Sequence, residues 1–211
     1  MNAQILRHKN LNYVIRYPKG YDEAKKYPLI IFLHGAGGRE DPVEKVMNFG
    51  CFAAAERFDL DAVMIAPHGP YDSWFDVFEQ LQEFAVFAAN LDFIDSDRVY
   101  LMGGSMGGYT AWQLAMSRPE LFAALVPICG GGMYWNAGRL KDIPVWAWHG
   151  RLDRTVLCEE SEKMVAAINK RGGNARLTIC EDVAHNSWEN AFASAELFEW
   201  MLAQKRTKKE G

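Results

Sequence analysis

Pro28–Leu33 is an unbroken apolar run with two adjacent isoleucines, Ile30 and Ile31. A strand that shows water one face alternates apolar and polar side chains, and this run does not. It therefore reads as a strand covered on both faces, and such strands belong to parallel sheets sandwiched between helices. The flanking pattern agrees. A second buried strand is expected at Ala62–Ala66, and further strands at Arg98–Met102, Ala124–Cys129, Pro144–His149 and Ala175–Cys180. Helical spacing fills the intervals at Phe49–Phe58, Asp76–Asn90, Met106–Ser117 and Cys158–Lys170, and a closing helix is expected over Trp188–Gln204. Leu11–Tyr17 alternates and reads as an outer strand, with Met1–Lys9 pairing to it as a hairpin. The expected fold is α/β: a mostly parallel twisted sheet with helices on both faces.

The chain has 211 residues without a repeat or a Pro/Gly/Ser-rich linker, so 1–211 is expected to be one domain. A chain this long buries roughly 70% of its unfolded surface and needs no staples. A net charge of -4 argues against nucleic acid as a partner. No apolar run approaches the ~20 residues that span a bilayer, so no membrane partner is expected. Met1–Asn10 lacks the apolar stretch of a secretory leader, and the expected compartment is the cytoplasm. Cys51, Cys129, Cys158 and Cys180 are widely spaced, without a CxxC pair. They read as free thiols rather than a zinc site. Lys205–Lys209 reads as a solvated tail. A homo-oligomer stays open.

Parallel sheets carry their sites at the carboxyl ends of the strands. The segments expected there are His34–Gly38, His68–Asp76, Gly103–Gly108, His149–Val156 and Asp182–Trp188. Gly103-Gly104-Ser105-Met106-Gly107 fits G-x-S-x-G and lies directly between an expected strand and an expected helix. Small neighbours allow a turn tight enough to lift the Ser105 hydroxyl above the sheet. A phosphate-binding loop would want a lysine after the glycines, and Tyr109 stands there instead. Ser105 is the candidate nucleophile.

A serine hydroxyl needs a base. In the chain order Ser, acid, His, the base comes last. Only His149 and His185 follow Ser105, and His149 precedes Asp153, so His185 is the candidate base. His34 and His149 read as structural histidines bonded to loop backbone. Asp153, just past a strand end, is preferred over Asp182 as the acid that orients the imidazole. Acyl transfer also needs oxyanion donors. The N–H of Met106 is one. Ala36, in His34-Gly35-Ala36-Gly37-Gly38, is the expected second, with Gly37 as its alternate near the substrate.

Together these segments resemble the α/β-hydrolase superfamily. Leu33–Gly38, Val99–Tyr109, Trp148–Asp153 and Ala184–Trp188 are similar to a narrower group within it. That group is the compact serine esterases related to bacterial feruloyl esterases, polyhydroxybutyrate depolymerases and predicted peptidases of the prolyl-oligopeptidase clan. The resemblance implies hydrolysis of short-chain or aromatic esters (acetyl or feruloyl in type) through a Ser-His-Asp triad and an acyl-enzyme, without metal or organic cofactor. The expected partner is a small-molecule ester. A peptidase acting on short peptides and a non-catalytic binding module are the alternatives. Gly130–Ile143, the longest candidate for a lid, is too short for a cap domain, so the site should be open with a minimal lid. Trp74, Trp135 and Trp188 are candidates for a rim that stacks a substrate ring, while Trp112, Trp146, Trp148 and Trp200 are assigned to the core.

Overall fold

The computed structural model describes residues 2–69 and 71–206. Eight strands form one sheet: β1 (Ala3–His8), β2 (Leu11–Arg16), β3 (Tyr27–Leu33), β4 (Val63–His68), β5 (Ile94–Gly104), β6 (Ala124–Ile128), β7 (Val145–Gly150) and β8 (Ala175–Cys180). Their order across the sheet is β1-β2-β4-β3-β5-β6-β7-β8. The β1–β2 and β2–β4 pairs are antiparallel, and all the others are parallel. The hairpin expected at the start is present. It moves β2 one place in from the edge, so β1, mostly exposed, is the outer strand.

The apolar run behaves as its composition requires. All seven residues of β3 are buried. Leu29, Ile31 and Leu33 face one hydrophobic cluster, and Ile30 and Phe32 face the other. The first cluster is covered by α2 (Phe78–Ala89), α3 (Met106–Ser117) and α4 (Cys158–Lys170). The second is covered by α1 (Gly50–Arg57), α5 (Trp188–Ala193) and α6 (Ala195–Ala203). At about 1.5–3 kcal/mol for each fully buried large aliphatic side chain, this two-sided burial is what fixes β3 at the centre.

Three expectations are corrected. The closing helix is two helices. Ser194 between them is extended (φ -89, ψ 106), and its hydroxyl accepts the Leu197 N–H at 3.2 Å. Serine is a strong N-cap, so the chain restarts its helix there. The connection from Gly130 to Ile143 is not plain loop: Tyr134–Leu140 forms a 3-10 turn that buries Ala137 and Leu140 and packs beside α4. The tail is also tied down at its first arginine. Arg206 ion-pairs with Asp97 at 3.0 Å and donates to the Glu120 carbonyl, while Thr207–Lys209 lie outside the described residues. Tyr100, on β5, donates to the Gln204 carbonyl at 2.8 Å.

The four cysteines are free. Among the described residues no helix is long and apolar enough to cross a membrane.

Arg16 clips the antiparallel strands to the rest. Its side chain is 2% exposed, pairs with Glu56 at 2.9 Å, and donates to the carbonyls of Leu60, Ala62 and Ala55. Arg16→Met strands those buried acceptors and should lower stability by about 3–5 kcal/mol. Glu56, 42% exposed, has water as a substitute partner. Glu56→Gln should therefore cost less than about 1 kcal/mol. Urea unfolding of the two variants checks the contrast.

Candidate active site

Ser105 sits between the end of β5 and the start of α3. Its φ is +55 and ψ -118, a conformation that costs a non-glycine residue about 1–3 kcal/mol. The strain is held by packing that leaves no alternative. A Cβ on Gly107 would overlap the Leu33 carbonyl, and one on Gly103 would overlap the Gly107 carbonyl. Two backbone bonds fasten the turn: Ser105 N–H to the Ile128 carbonyl at 2.9 Å and Tyr109 N–H to the Ser105 carbonyl at 3.0 Å.

The sequence candidates Ser105, His185 and Asp153 come together in one hydrogen-bonded line. His185 Nε2 is 2.8 Å from Ser105 Oγ, and His185 Nδ1 is 2.7 Å from Asp153 Oδ2. Three strand ends supply them: β5 carries Ser105, the turn after β7 carries Asp153, and the loop after β8 carries His185. Asp153 is buried. Its Oδ1 accepts the N–H groups of Thr155 and Val156, each at 2.9 Å. Burial pushes this carboxyl up, but the bonds from His185, Val156 and Thr155 outweigh it and hold it below the ordinary aspartate value. With Asp153 ionised, the Nδ1 of His185 carries the proton, and Nε2 is free to accept one from Ser105. Asp182, the other acid considered, is exposed on the turn after β8.

Gly35 opens a 3-10 turn, Ala36–Gly38, and a Cβ on it would stand 3.3 Å from Ser105 Cβ, so this loop abuts the serine. The first N–H groups of a helix or 3-10 turn have no internal partner. Ala36 opens one such turn and Met106 opens α3, which leaves two donors for a ligand beside Ser105.

The loop is braced from behind. His34 is buried, and its Nδ1–H donates to the Gly35 carbonyl at 2.9 Å. Burial pushes the His34 imidazole down to about 4, so it stays uncharged. His68 Nε2–H donates to the Gly38 carbonyl at 3.1 Å.

A cavity of about 440 Å³ opens over Ser105. The loop 34–38, including Ala36 and Gly37, forms one side, and Phe32, Phe49, Trp188 and Phe192 form the rest with Thr155 and His185. Of the three expected rim tryptophans only Trp188 lines it, edge-on to His185 with ring centroids 5.5 Å apart. Trp74 is 2% exposed and donates Nε1–H to the His34 carbonyl at 2.9 Å. Ser73 caps the short turn that carries it, and the indole lies inward, bracing the loop instead of facing the cavity. Trp135 is 64% exposed, but it stands on the 3-10 turn whose carbonyl Arg171 holds at 3.1 Å, and it does not line the cavity. Phe32, Phe49 and Phe192 were not anticipated. Phe192 follows Trp188 by one helical turn, a spacing that puts both on one face once a helix start is known. Phe32 and Phe49 carry no such signal.

A larger cavity, about 860 Å³, lies at the opposite strand ends near Phe122, Ile143 and Pro144, away from Ser105. Among the described residues no cluster of His, Cys, Asp and Glu could hold a metal ion.

Known proteins share this arrangement of chain. A solved structure described as a thermostable esterase superposes with a TM-score of 0.82 at 30% identity, over 97% of this chain and 64% of its own. The chain has the α/β-hydrolase fold. Residues 75–133 match the prolyl oligopeptidase family. A probable feruloyl esterase C of Aspergillus terreus is 30% identical over 150 residues, which are 67% of this chain and 56% of that protein. A dipeptidyl-peptidase 5 of Aspergillus fumigatus is 29% identical over 134 residues, 52% of this chain but 17% of its own length. The chain thus spans little more than half of the esterase relative and a small part of the peptidase.

The nucleophile turn yields a sharp contrast. Gly107→Ala should lose more than about 4 kcal/mol or fail to fold, because backbone cannot retreat from its Cβ. Gly37→Ala, with nothing within 4 Å of the new atom, should melt within a few degrees of wild type. Thermal denaturation decides both.

Proposed function

We propose that this α/β-hydrolase is a serine carboxylic-ester hydrolase that prefers aromatic acyl groups of the feruloyl type and also accepts short-chain ones. The observation that carries the reading is the continuous Ser105–His185–Asp153 line beneath an aromatic-walled cavity. The similarity to a probable feruloyl esterase and to a thermostable esterase supports it.

The geometry supplies each step. His185 Nε2 takes the Ser105 proton as Oγ attacks the ester carbonyl. The N–H groups of Ala36 and Met106 hold the oxyanion, and Asp153 stabilises the imidazolium. The carbonyl–oxygen bond to the alcohol then breaks, and His185 returns the proton to the leaving alkoxide. Water gives a proton to the same nitrogen and attacks the acyl-enzyme, and Ser105 leaves reprotonated. Phe32, Phe49, Trp188 and Phe192 offer apolar faces to an aromatic ring, with contacts of about 0.5–1.5 kcal/mol beyond area alone. We place the reaction in the cytoplasm, where four free thiols suit a reducing medium.

A peptidase is the second reading, favoured by the match of residues 75–133 to the prolyl oligopeptidase family. It uses the same line on a poorer leaving group. A non-catalytic binding role leaves the strained serine and its hydrogen-bonded histidine without a purpose.

Acetyl, butyryl and feruloyl esters, each beside its amide counterpart, test the reading. Wild type should turn over the esters, the feruloyl one with highest kcat/KM, and Ser105→Ala should lose about 10⁴–10⁶-fold in kcat. Turnover of amides alone selects the peptidase, and turnover of nothing sinks both.

Asp153→Asn should lose about 10⁴-fold while Asp182→Asn keeps most activity. The reverse ranking would move the acid. Phe49→Leu should raise KM for the feruloyl ester about tenfold and leave the acetyl ester within about threefold. Equal effects on both would mean the cavity wall does not read the ring.

A further inference from the structure

His149, the penultimate residue of β7, is wholly buried. Its Nε2 lies 2.9 Å from the Val156 carbonyl and 3.3 Å from Asp153 Oδ2. Both neighbours are acceptors. A lone pair on Nε2 would face two oxygens in a dry site, so Nε2 must carry the proton. The N–H points at Val156, with the carboxylate beside it. On the other side of the ring, Nδ1 is 2.7 Å from Ser161 Oγ, on α4, whose single proton can go to Nδ1 or to the Gly130 carbonyl 3.0 Å away; with Nε2 protonated and the ring neutral it goes to Nδ1. Gly130 packs against the backbone of Gly108 and Tyr109, just behind Ser105.

This arrangement reaches Asp153 from two directions. Val156 N–H grips Oδ1, and the Val156 carbonyl is itself held by His149. The turn 153–156 is therefore closed by a second imidazole. The positive end of its N–H lies against the oxygen that His185 uses.

We propose that His149 is a positioning residue for the acid of this site: its Nε2–H fixes the 153–156 turn and polarises Asp153 Oδ2, so that the carboxylate faces His185 in one orientation. The proposal rests on the esterase reading above for its kinetic consequence, but not for its structural one. Loss of the N–H has two effects. The turn loosens, which misplaces the acid. The misplaced carboxylate also holds a protonated His185 less firmly, which lowers the pH at which the base becomes free. Arg151 and Arg154, in the same turn, stay charged over this range, and the Tyr109 phenol and Cys129 thiol near Asp153 stay neutral. Burial pushes the Tyr109 phenol, on α3, up, and pushes the Cys129 thiol, after β6, up to about 12.

The test compares His149→Gln, whose terminal amide N–H reaches the Nε2 position, with His149→Asn, whose shorter amide does not. Active sites are counted with a fluorophosphonate before rates are compared. For the feruloyl ester, His149→Asn should lose about 10–100-fold in kcat with KM within about threefold. Its acid limb of kcat/KM should move down by about half a pH unit. His149→Gln should restore kcat to within about threefold and the limb to its wild-type place. A purely structural role would lower the melting temperature of both variants and leave the acid limb alone, and that result overturns the proposal.

Nitrogen NMR of the wild-type imidazoles needs neither turnover nor a folded variant. It should find Nε2 of His149 protonated at neutral pH. A bare Nε2 would overturn the proposal outright. If wild type hydrolyses no ester, the esterase reading fails by itself. The downfield His185 Nδ1 proton, sharp in wild type and His149→Gln and lost in His149→Asn, then decides the positioning role. Its persistence in His149→Asn would refute that role.

Discussion

Backbone-to-backbone contact behind Ser105 is the constraint on which the rest depends. Gly107 lies against the Leu33 and His34 carbonyls, Gly108 against the Ile128 carbonyl, and Gly103 against Gly107 itself. No side-chain carbon fits in any of these gaps. The ends of β3, β5 and β6 are thereby held at the closest approach that peptide groups allow. The serine can keep a positive φ only because its neighbours cannot move away. The loop 34–38 follows directly from β3, so the same contact sets its distance from the hydroxyl.

Around this fixed point the polar groups are arranged by degree of burial. His185 is the half-buried member and faces the cavity. Asp153 and His149 are sealed beneath it. A sealed carboxylate is costly unless nearly every lone pair has a donor, and Asp153 has two backbone N–H groups, one imidazole in line and a second at its flank. The electrostatic work of holding a charge under the sheet edge is thus done by groups from β7 and the turns after β7 and β8. Of these residues, His185 and Thr155 line the cavity over Ser105.

Much of this was legible in the chain. Pro28–Leu33, Ala124–Cys129 and Ala175–Cys180 announced strands because burial on both faces, or at a sheet margin, leaves a local composition. Ser105 could be named because glycines on both sides, between a strand and a helix, permit the tight turn that lifts a hydroxyl above the sheet. His185 could be named because chain order leaves it as the histidine that follows both serine and acid. Trp74 and Trp135 were misplaced for one reason. Their positions after strand ends are sequence-local, whereas the direction of an indole is set by the turn beneath it, and one lies inward on the turn that Ser73 caps. Phe32 and Phe49 were invisible for the converse reason. They become walls only when β3 and the start of α1 are brought together, and nothing in either segment records that meeting. The break at Ser194 was hidden by continuous apolar spacing from Trp188 to Leu202.

That break has a consequence for how such a site can diversify. α6 lays Leu197, Phe198 and Met201 into the core, while α5 carries Trp188 and Phe192 to the cavity. One continuous rod would couple the two, since any rotation that re-aimed Trp188 would drag three buried side chains with it. With a capped joint between them, Trp188 at the head of the short segment can be exchanged without moving α6, whereas Phe192 belongs to wall and core alike. One part of the cavity wall can then drift while packing holds the anchor beside it.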